Sequence, residues 1–343
     1  MQKHLTLVFV SAFLAFLVTI ALSFTKVEAA TRVVNVPADP NLNLANLVNN
    51  DPATTATAFQ LAPNFTYRVN ALIILKAGDE LRGAVGTMTK VGPATDPNPT
   101  TKLVNAAALE SLIGLRGNNA ITWLDISGAD YKGRPGGGSA ISSGSGNDNT
   151  LIQFNQIHDN GAAGITNARG HILDNEIYKN TTEPAALGSI GSGVKGMYEY
   201  EAGRNYVHDN LGNGLWGDVL MKDTTVGSFN VHDNYLFNNG RAGVRFERTE
   251  CSGAEFNAWS NIIQNNGWES ARGGVSIHDA CNSWVGYNTF GGNAGKYGVR
   301  ITDSGRSDRP DTKNATIESN TMNGDIVKLG SGVSTSADNI IIR

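Results

Sequence analysis

Between Asn155 and Thr302 apolar residues come in short bursts at alternate positions, bracketed each time by the same polar residues: an Asn, an aliphatic two places on, a second Asn, then Gly followed by an aliphatic residue. The copies begin at Asn155-Gln-Ile-His-Asp-Asn160, Asn175-Glu-Ile-Tyr-Lys-Asn180, Asn205-Tyr-Val-His-Asp-Asn210, Asn234-Tyr-Leu-Phe-Asn-Asn239, Asn261-Ile-Ile-Gln-Asn-Asn266 and Asn288-Thr-Phe-Gly-Gly-Asn293, and Asn320-Thr-Met-Asn-Gly-Asp325 is a worn last copy. Their starts lie 20, 30, 29, 27, 27 and 32 residues apart. A period of this size belongs to a solenoid, in which no repeat buries its apolar face alone. Apolar alternation with period two, interrupted by Gly and Asn, predicts short strands joined by tight turns instead of helices. The Asn column reads as structural, each side chain bonding to the backbone of a neighbouring coil.

Alternation also fixes the facing of the strands that start at Gly193-Val194, Gly214-Leu215, Gly243-Val244, Gly274-Val275 and Gly298-Val299. The first and third residues after each Gly point inward: Val194, Leu215, Val244 with Phe246, Val275 with Ile277, and Val299 with Ile301. The second and fourth point out, giving one column of Lys195, Trp216, Arg245, Ser276 and Arg300 and another of Met197, Asp218, Glu247, His278 and Thr302. Neighbouring coils lie ~4.8 Å apart, so the two columns form one continuous patch. Its cations, carboxylates, imidazole and outward Trp are unlike the Thr, Ser, Lys and Asn of an ordinary solvated sheet, and an exposed indole suits the face of a sugar ring.

The remainder of the chain has other textures. An uncharged apolar run from Leu5 to Phe24 follows Lys3 and precedes Val27-Glu28-Ala29, which reads as a secretory signal over residues 1–29, with an uncleaved membrane anchor as the alternative. Residues 30–110 carry a short helix at Asn43 to Asn49, then strands and turns from Phe59 to Gly83, and a proline-bearing loop from Thr87 to Thr101. The coils run from 111 to 343, with further loops at Arg134 to Gly138 and Ser142 to Asn149.

The formal net charge is −4, and removal of the leader leaves 25 basic against 30 acidic residues, so there is no basic footprint for nucleic acid. Cys251 and Cys281, about one coil apart, are expected to form a disulfide outside the cytoplasm. Gly146-Asn-Asp-Asn149 has donors for calcium without the spacing of a dedicated loop, so no metal or other cofactor is expected. His158-Asp159, His208-Asp209 and His232-Asp233 resemble catalytic dyads but read as turn formers, since the first two share one place in the repeat.

From about Phe59 to Ile326 the Asn-x-Ile-x-x-Asn-x-x-x-Gly-Val pattern resembles the right-handed parallel β-helix proteins of the pectin-lyase-like superfamily. The resemblance implies an all-β, single-stranded parallel β-helix with an N-terminal cap over its open end. It is specific for the fold and weak for activity, because the superfamily includes polysaccharide lyases, polygalacturonase-like hydrolases, uronate epimerases, phage tailspikes and proteins without catalysis. Arg300-Ile301-Thr302 matches only part of the hydrolase Arg-Ile-Lys, Trp216-Gly217-Asp218-Val219 only echoes a pectate lyase run, and His278-Asp279-Ala280 is not the epimerase motif. No catalytic residue is carried over from a named family.

The site expectation therefore rests on strand register. Lys195, Asp218, Arg245, Glu247 and His278 are the catalytic candidates, and Trp216, Ser276, Arg300 and Tyr198 the substrate-binding ones. Cations that quench a uronate carboxylate beside a base, Lys195 or His278, suit β-elimination. Asp218 and Glu247 on successive coils suit glycoside hydrolysis. A secreted, monomeric protein that binds a polysaccharide and cleaves it, with elimination favoured, is the expectation; a hydrolase or a noncatalytic binding protein is the alternative.

Overall fold

The computed structural model describes residues 30–133, 137–143, 149–167, 169–196, 200–218, 228–249, 255–305, 311–330 and 332–343. The expected leader, Tyr198, Cys251 and residues 144–148 lie outside them. Among the described residues all strands except one antiparallel pair form three parallel sheets: sheet A with twelve strands, and sheets B and C with ten each. One coil visits them in turn, for example Thr150–Gln153 in A, Gln156–His158 in B and Ala163–Thr166 in C, before Gly170–Leu173 re-enters A. Crossovers between parallel strands are right-handed. The chain is thus the all-β, right-handed parallel β-helix that the repeat pattern and the resemblance imply.

Two corners of each coil are made by single residues in the left-handed region. Phe154, Asp174, Arg204, Asp233, Ser260 and Tyr287 (φ 53° to 60°) turn the chain from sheet A to sheet B, and Asp159, Lys179, Asp209, Asn238 and Asn265 (φ 50° to 56°) turn it out of sheet B. Such backbone is costly away from Gly, and a ladder Asn follows each corner and holds it. The Asn205 Nδ2 donates to Asn234 Oδ1 (3.0 Å) and to Ile172 O (2.8 Å), while its Oδ1 accepts from the Asn175 backbone N–H (3.0 Å). The same bonds link Asn155 through Asn320 along one corner and Asn160 through Asp325 along the other. The repeated Gly makes room for the ladder: a Cβ on Gly214 would lie 2.6 Å from Gly243 O and 3.1 Å from Asn239 Nδ2.

Strand facing follows the alternation. Val194, Leu215, Val244, Phe246, Val275, Ile277, Val299 and Ile301 are all fully buried in the core, in one register across sheet C.

The N-terminal part departs from expectation in two places. The helix, Leu44–Asn49, is capped by Asn43 and buries Leu44, Ala45 and Val48. Strands Thr57–Leu61, Thr66–Val69 and Ile73–Ile74 already belong to sheets A, B and C, so coil stacking reaches well before residue 110. Residues Thr87–Val91 and Ala94–Asn98, expected as loop, form an antiparallel hairpin turned at Gly92 (φ +60°) and Pro93. A two-stranded ribbon leaves each strand an open edge, which is where proline is tolerated, and Pro97 takes such a place. The Thr95 N–H donates to Arg204 O (2.9 Å) and its hydroxyl to Asp174 (3.0 Å), which fastens the hairpin onto the helix side.

The His-Asp pairs are turn formers, since Asp159, Asp209 and Asp233 are corner residues. Each His is also held between two carboxylates, its neighbour's and one from the preceding coil: His158 by Asp159 and Asp125, His208 by Asp209 and Glu176, His232 by Asp233 and Glu201. Burial opposes charging of His232, but Asp233 and Glu201 outweigh it and push its pKa up to about 8; His158 is raised in the same way by Asp125 and Asp159. Burial likewise opposes ionisation of Glu201, yet His171 and His232 bring it down to about 2. The His contribution is complete below its ordinary pKa of 6.5 and is lost as pH rises through about 8. The Glu201 contribution is complete above its ordinary 4.5 and is lost as pH falls through about 2. Urea melts from pH 6 to 9 should show a loss of at least about 2 kcal/mol, the share that His232 contributes, with His158 adding to it, and a flat profile in that range would contradict the assignment.

Cys281 is fully buried and not a free thiol, while Cys251 lies outside the described residues. We propose that the two are bridged, closing a loop of about 30 residues that stabilises by roughly 3 to 4 kcal/mol. Intact-mass measurement of the non-reduced protein should show no alkylatable thiol. Among the described residues no helix is long and apolar enough to cross a membrane.

Candidate functional site

Five adjacent strands of sheet C, Ser192–Gly196, Asn213–Asp218, Val244–Thr249, Val275–Ala280 and Tyr297–Thr302, bring the two outward columns together in the expected register. Lys195 is opposite Trp216, then Arg245, Ser276 and Arg300; Asp218 is opposite Glu247, then His278 and Thr302.

These side chains stand outside the coil, yet most are not exposed. Lys195, Trp216, Asp218, Arg245, Glu247 and Ser276 are buried, and His278 and Arg300 half-buried. The open indole platform expected at Trp216 is absent, since the residue is only 3 % exposed and a cation covers each side. Lys195 Nζ lies 3.9 Å and Arg245 Cζ 4.8 Å from its ring. The indole therefore holds two cations by their attraction to its faces, and it is not free to stack on a sugar.

The carboxylates are distributed between those cations. Lys195 Nζ pairs with Asp218 Oδ2 at 2.9 Å and also donates to Ser189 O, and Arg245 Nη2 pairs with Glu247 Oε1 at 2.7 Å. Three buried polar atoms in this group have no hydrogen-bond partner: Asp218 Oδ1, Arg245 Nε and Trp216 Nε1. Burial pushes the Arg245 guanidinium down to about 10 against the pull of Glu247, with Arg272 and Arg241 adding to the depression. Arg272 is lowered by burial and by Arg241 and Arg300. An anion entering between these guanidinium groups would relieve both.

Two neighbouring cavities that share Arg245 and Arg272 open over the patch. The larger, about 450 Å³, is lined by Lys195, Trp216, Asp218, Arg245 and Glu247 together with Arg241, Arg248 and Arg272. The smaller, about 270 Å³, shares Arg245 and Arg272 and adds Ser276, His278, Arg300, Thr302 and Asp303. His278 Nδ1 lies 2.9 Å from Thr302 Oγ1. Among the described residues neither Arg272 nor Arg300 has a carboxylate at ion-pair distance, while Arg241 pairs with Glu269 at 3.1 Å.

Strand alternation alone missed Arg241, Arg248, Arg272 and Asp303. A signal for two of them was present: Arg241 and Arg272 stand at the same place in successive repeats, two positions before Gly243 and Gly274. Tyr198 lies outside the described residues.

Comparison with known proteins fits this architecture. No protein-family model and no curated protein sequence matches the chain. Among solved structures it resembles the alginate lyase from Paenibacillus sp. str. FPU-7 (16% identity, TM-score 0.53, covering 88% of this chain and 100% of that one). It also resembles pectate lyase Pel9A (12% identity, TM-score 0.54, covering 90% and 84%) and the Dettilon tailspike protein (14% identity, TM-score 0.55, covering 84% and 62%). The protein has the right-handed parallel β-helix fold of pectin-lyase-like proteins. Identities this low establish the fold and leave the activity to the site.

Proposed function

We propose that the protein acts outside the cytoplasm on an acidic polysaccharide, which lies along the outer face of sheet C and is cleaved there by β-elimination. The carrying observation is charge: Lys195, Arg241, Arg245, Arg248, Arg272 and Arg300 line the two cavities against Asp218, Glu247 and Asp303, in a chain whose formal net charge is −4. Such concentration in a concave, partly desolvated groove favours an anionic ligand.

In this reading the uronate carboxylate sits between Arg245, Arg272 and Arg300, which neutralise it and so make the C5 proton more acidic. His278 is the base. Its Nδ1 lies 2.9 Å from Thr302 Oγ1 and its Nε2 3.5 Å from Asp279 Oδ2, and in this reading the neutral ring takes the proton at the nitrogen that carries its lone pair. The electron pair left on C5 forms the C4–C5 double bond, the bond from C4 to the glycosidic oxygen breaks, and the departing oxygen takes a proton from water. Lys195, tied to Asp218 and to Ser189 O, is a fixed cation for the neighbouring sugar instead of the base.

Asp218 and Glu247 on adjacent coils favour hydrolysis as a second reading. It is weaker because each carboxylate is paired with its own cation, whereas an acid catalyst must keep its proton. Incubation with alginate, polygalacturonate and neutral glucans separates the readings. New ultraviolet absorbance from an unsaturated product supports elimination; reducing ends without it, or binding without cleavage, would overturn it.

A further inference from the structure

Trp216 leaves the role of sugar platform empty, and one other tryptophan has the geometry for it. Trp268 is 54 % exposed, whereas Trp123, Trp216, Trp259 and Trp284 are buried or half-buried. It opens the loop 268–272, whose far end is Arg272 of the cavity wall. Exposing an indole is unfavourable unless something covers it some of the time.

The ring is held in place. Its Nε1–H donates to Asn238 O (3.2 Å), and its Cζ2 lies 3.2 Å from where a Cβ on Gly240 would stand, so the ring sits close against the backbone at that glycine. The loop beneath is fastened as well: the Gly267 N–H donates to Asn239 O (2.8 Å), and the Glu269 N–H to Gly240 O (2.7 Å). Glu269 also pairs with Arg241, itself a wall of the larger cavity. Trp268 is thereby tied through Gly240, Glu269 and Arg241 to the edge of the groove, with its polar atom already satisfied and apolar surface facing solvent. A ring fixed this way loses little entropy when a partner lies on it.

We propose that Trp268 is a stacking subsite for the apolar face of a pyranose ring, at the rim of the groove beyond the charged cavities. This rests on the reading that the groove takes a polysaccharide. Stacking is insensitive to the sugar's charge, so the subsite adds length dependence where the arginines add charge dependence.

The test is titration calorimetry with alginate and polygalacturonate oligosaccharides of two and of six to eight sugars, on the parent, Trp268→Ala, Trp268→Phe and Arg272→Ala. Trp268→Ala should weaken the longer oligosaccharides about three- to tenfold and leave the disaccharides unchanged, with Trp268→Phe recovering part of the loss. Arg272→Ala should weaken both lengths, more so at low salt. Bound oligosaccharide should protect the parent's fluorescence from iodide, and Trp268→Ala should lack the protected component. Unchanged affinity of the longer oligosaccharides in Trp268→Ala, with Arg272→Ala still weakened, would refute the subsite and leave the polysaccharide reading standing. If the parent binds neither glycan at either length, that reading fails and the subsite with it.

Discussion

Arg245→Ala is expected to lower kcat/KM on the acidic substrate by at least about a hundredfold, the usual loss when one fixed charge-stabilising donor leaves an enclosed site. The same change should destabilise the protein, because it takes away the guanidinium that buried Glu247 pairs with at 2.7 Å. Breaking a buried pair from one side costs about 3 to 5 kcal/mol. The two effects can be separated. Adding Glu247→Gln to Arg245→Ala removes the buried charge, so the melting temperature should recover while turnover stays lost. Recovery of both together would show that Arg245 serves only to neutralise Glu247, and the proposed quenching of a substrate carboxylate would fall. His278→Ala makes a cleaner companion, since that residue is half-buried and should cost activity with little stability.

Asn205→Ala should be among the most destabilising substitutions in the chain although it touches no site residue. It removes a donor to Ile172 O and to Asn234 Oδ1, and an acceptor for the backbone and side-chain amides of Asn175, all buried. Each stranded group costs about 1 to 3 kcal/mol, so a loss of at least about 4 kcal/mol is expected from urea melts. Asn320→Ala removes the corresponding bonds at the half-buried end of the same ladder, where water can replace them, and should cost about 1 kcal/mol. Equal losses at the two positions would mean that the ladder does not act through burial. In the second ladder Asp325 takes the last rung among the described residues, where its carboxylate accepts from Asn293 as an amide oxygen does elsewhere.

How much of this was legible in sequence differs by residue. The inward set from Val194 to Ile301 and the opposition of Lys195, Trp216, Arg245, Ser276 and Arg300 could be read directly, because strand period is fixed at two and the repeated Gly marks the same register in every coil. The Asn columns were legible for the same reason. The hairpin at 87–98 was not. Its prolines signal a loop, and only docking against Asp174 and Arg204, about 80 to 110 residues later, shows why a ribbon forms there.

The sequence by itself determined the coil, the direction each strand residue points and the chemistry gathered on one face. Those properties depend on near neighbours and on a repeat that carries its own register. Tertiary structure alone decided that the outward face would be enclosed, that Trp216 would be sandwiched between Lys195 and Arg245, and that each carboxylate would take a separate cation. It also brought Arg241 and Arg272 to the groove from turns outside the strand pattern. The physical reason is stacking: residues 21 to 31 places apart in sequence are opposite one another on successive coils of sheet C, ~4.8 Å apart, so how their side chains pair depends on loop geometry that no local periodicity encodes.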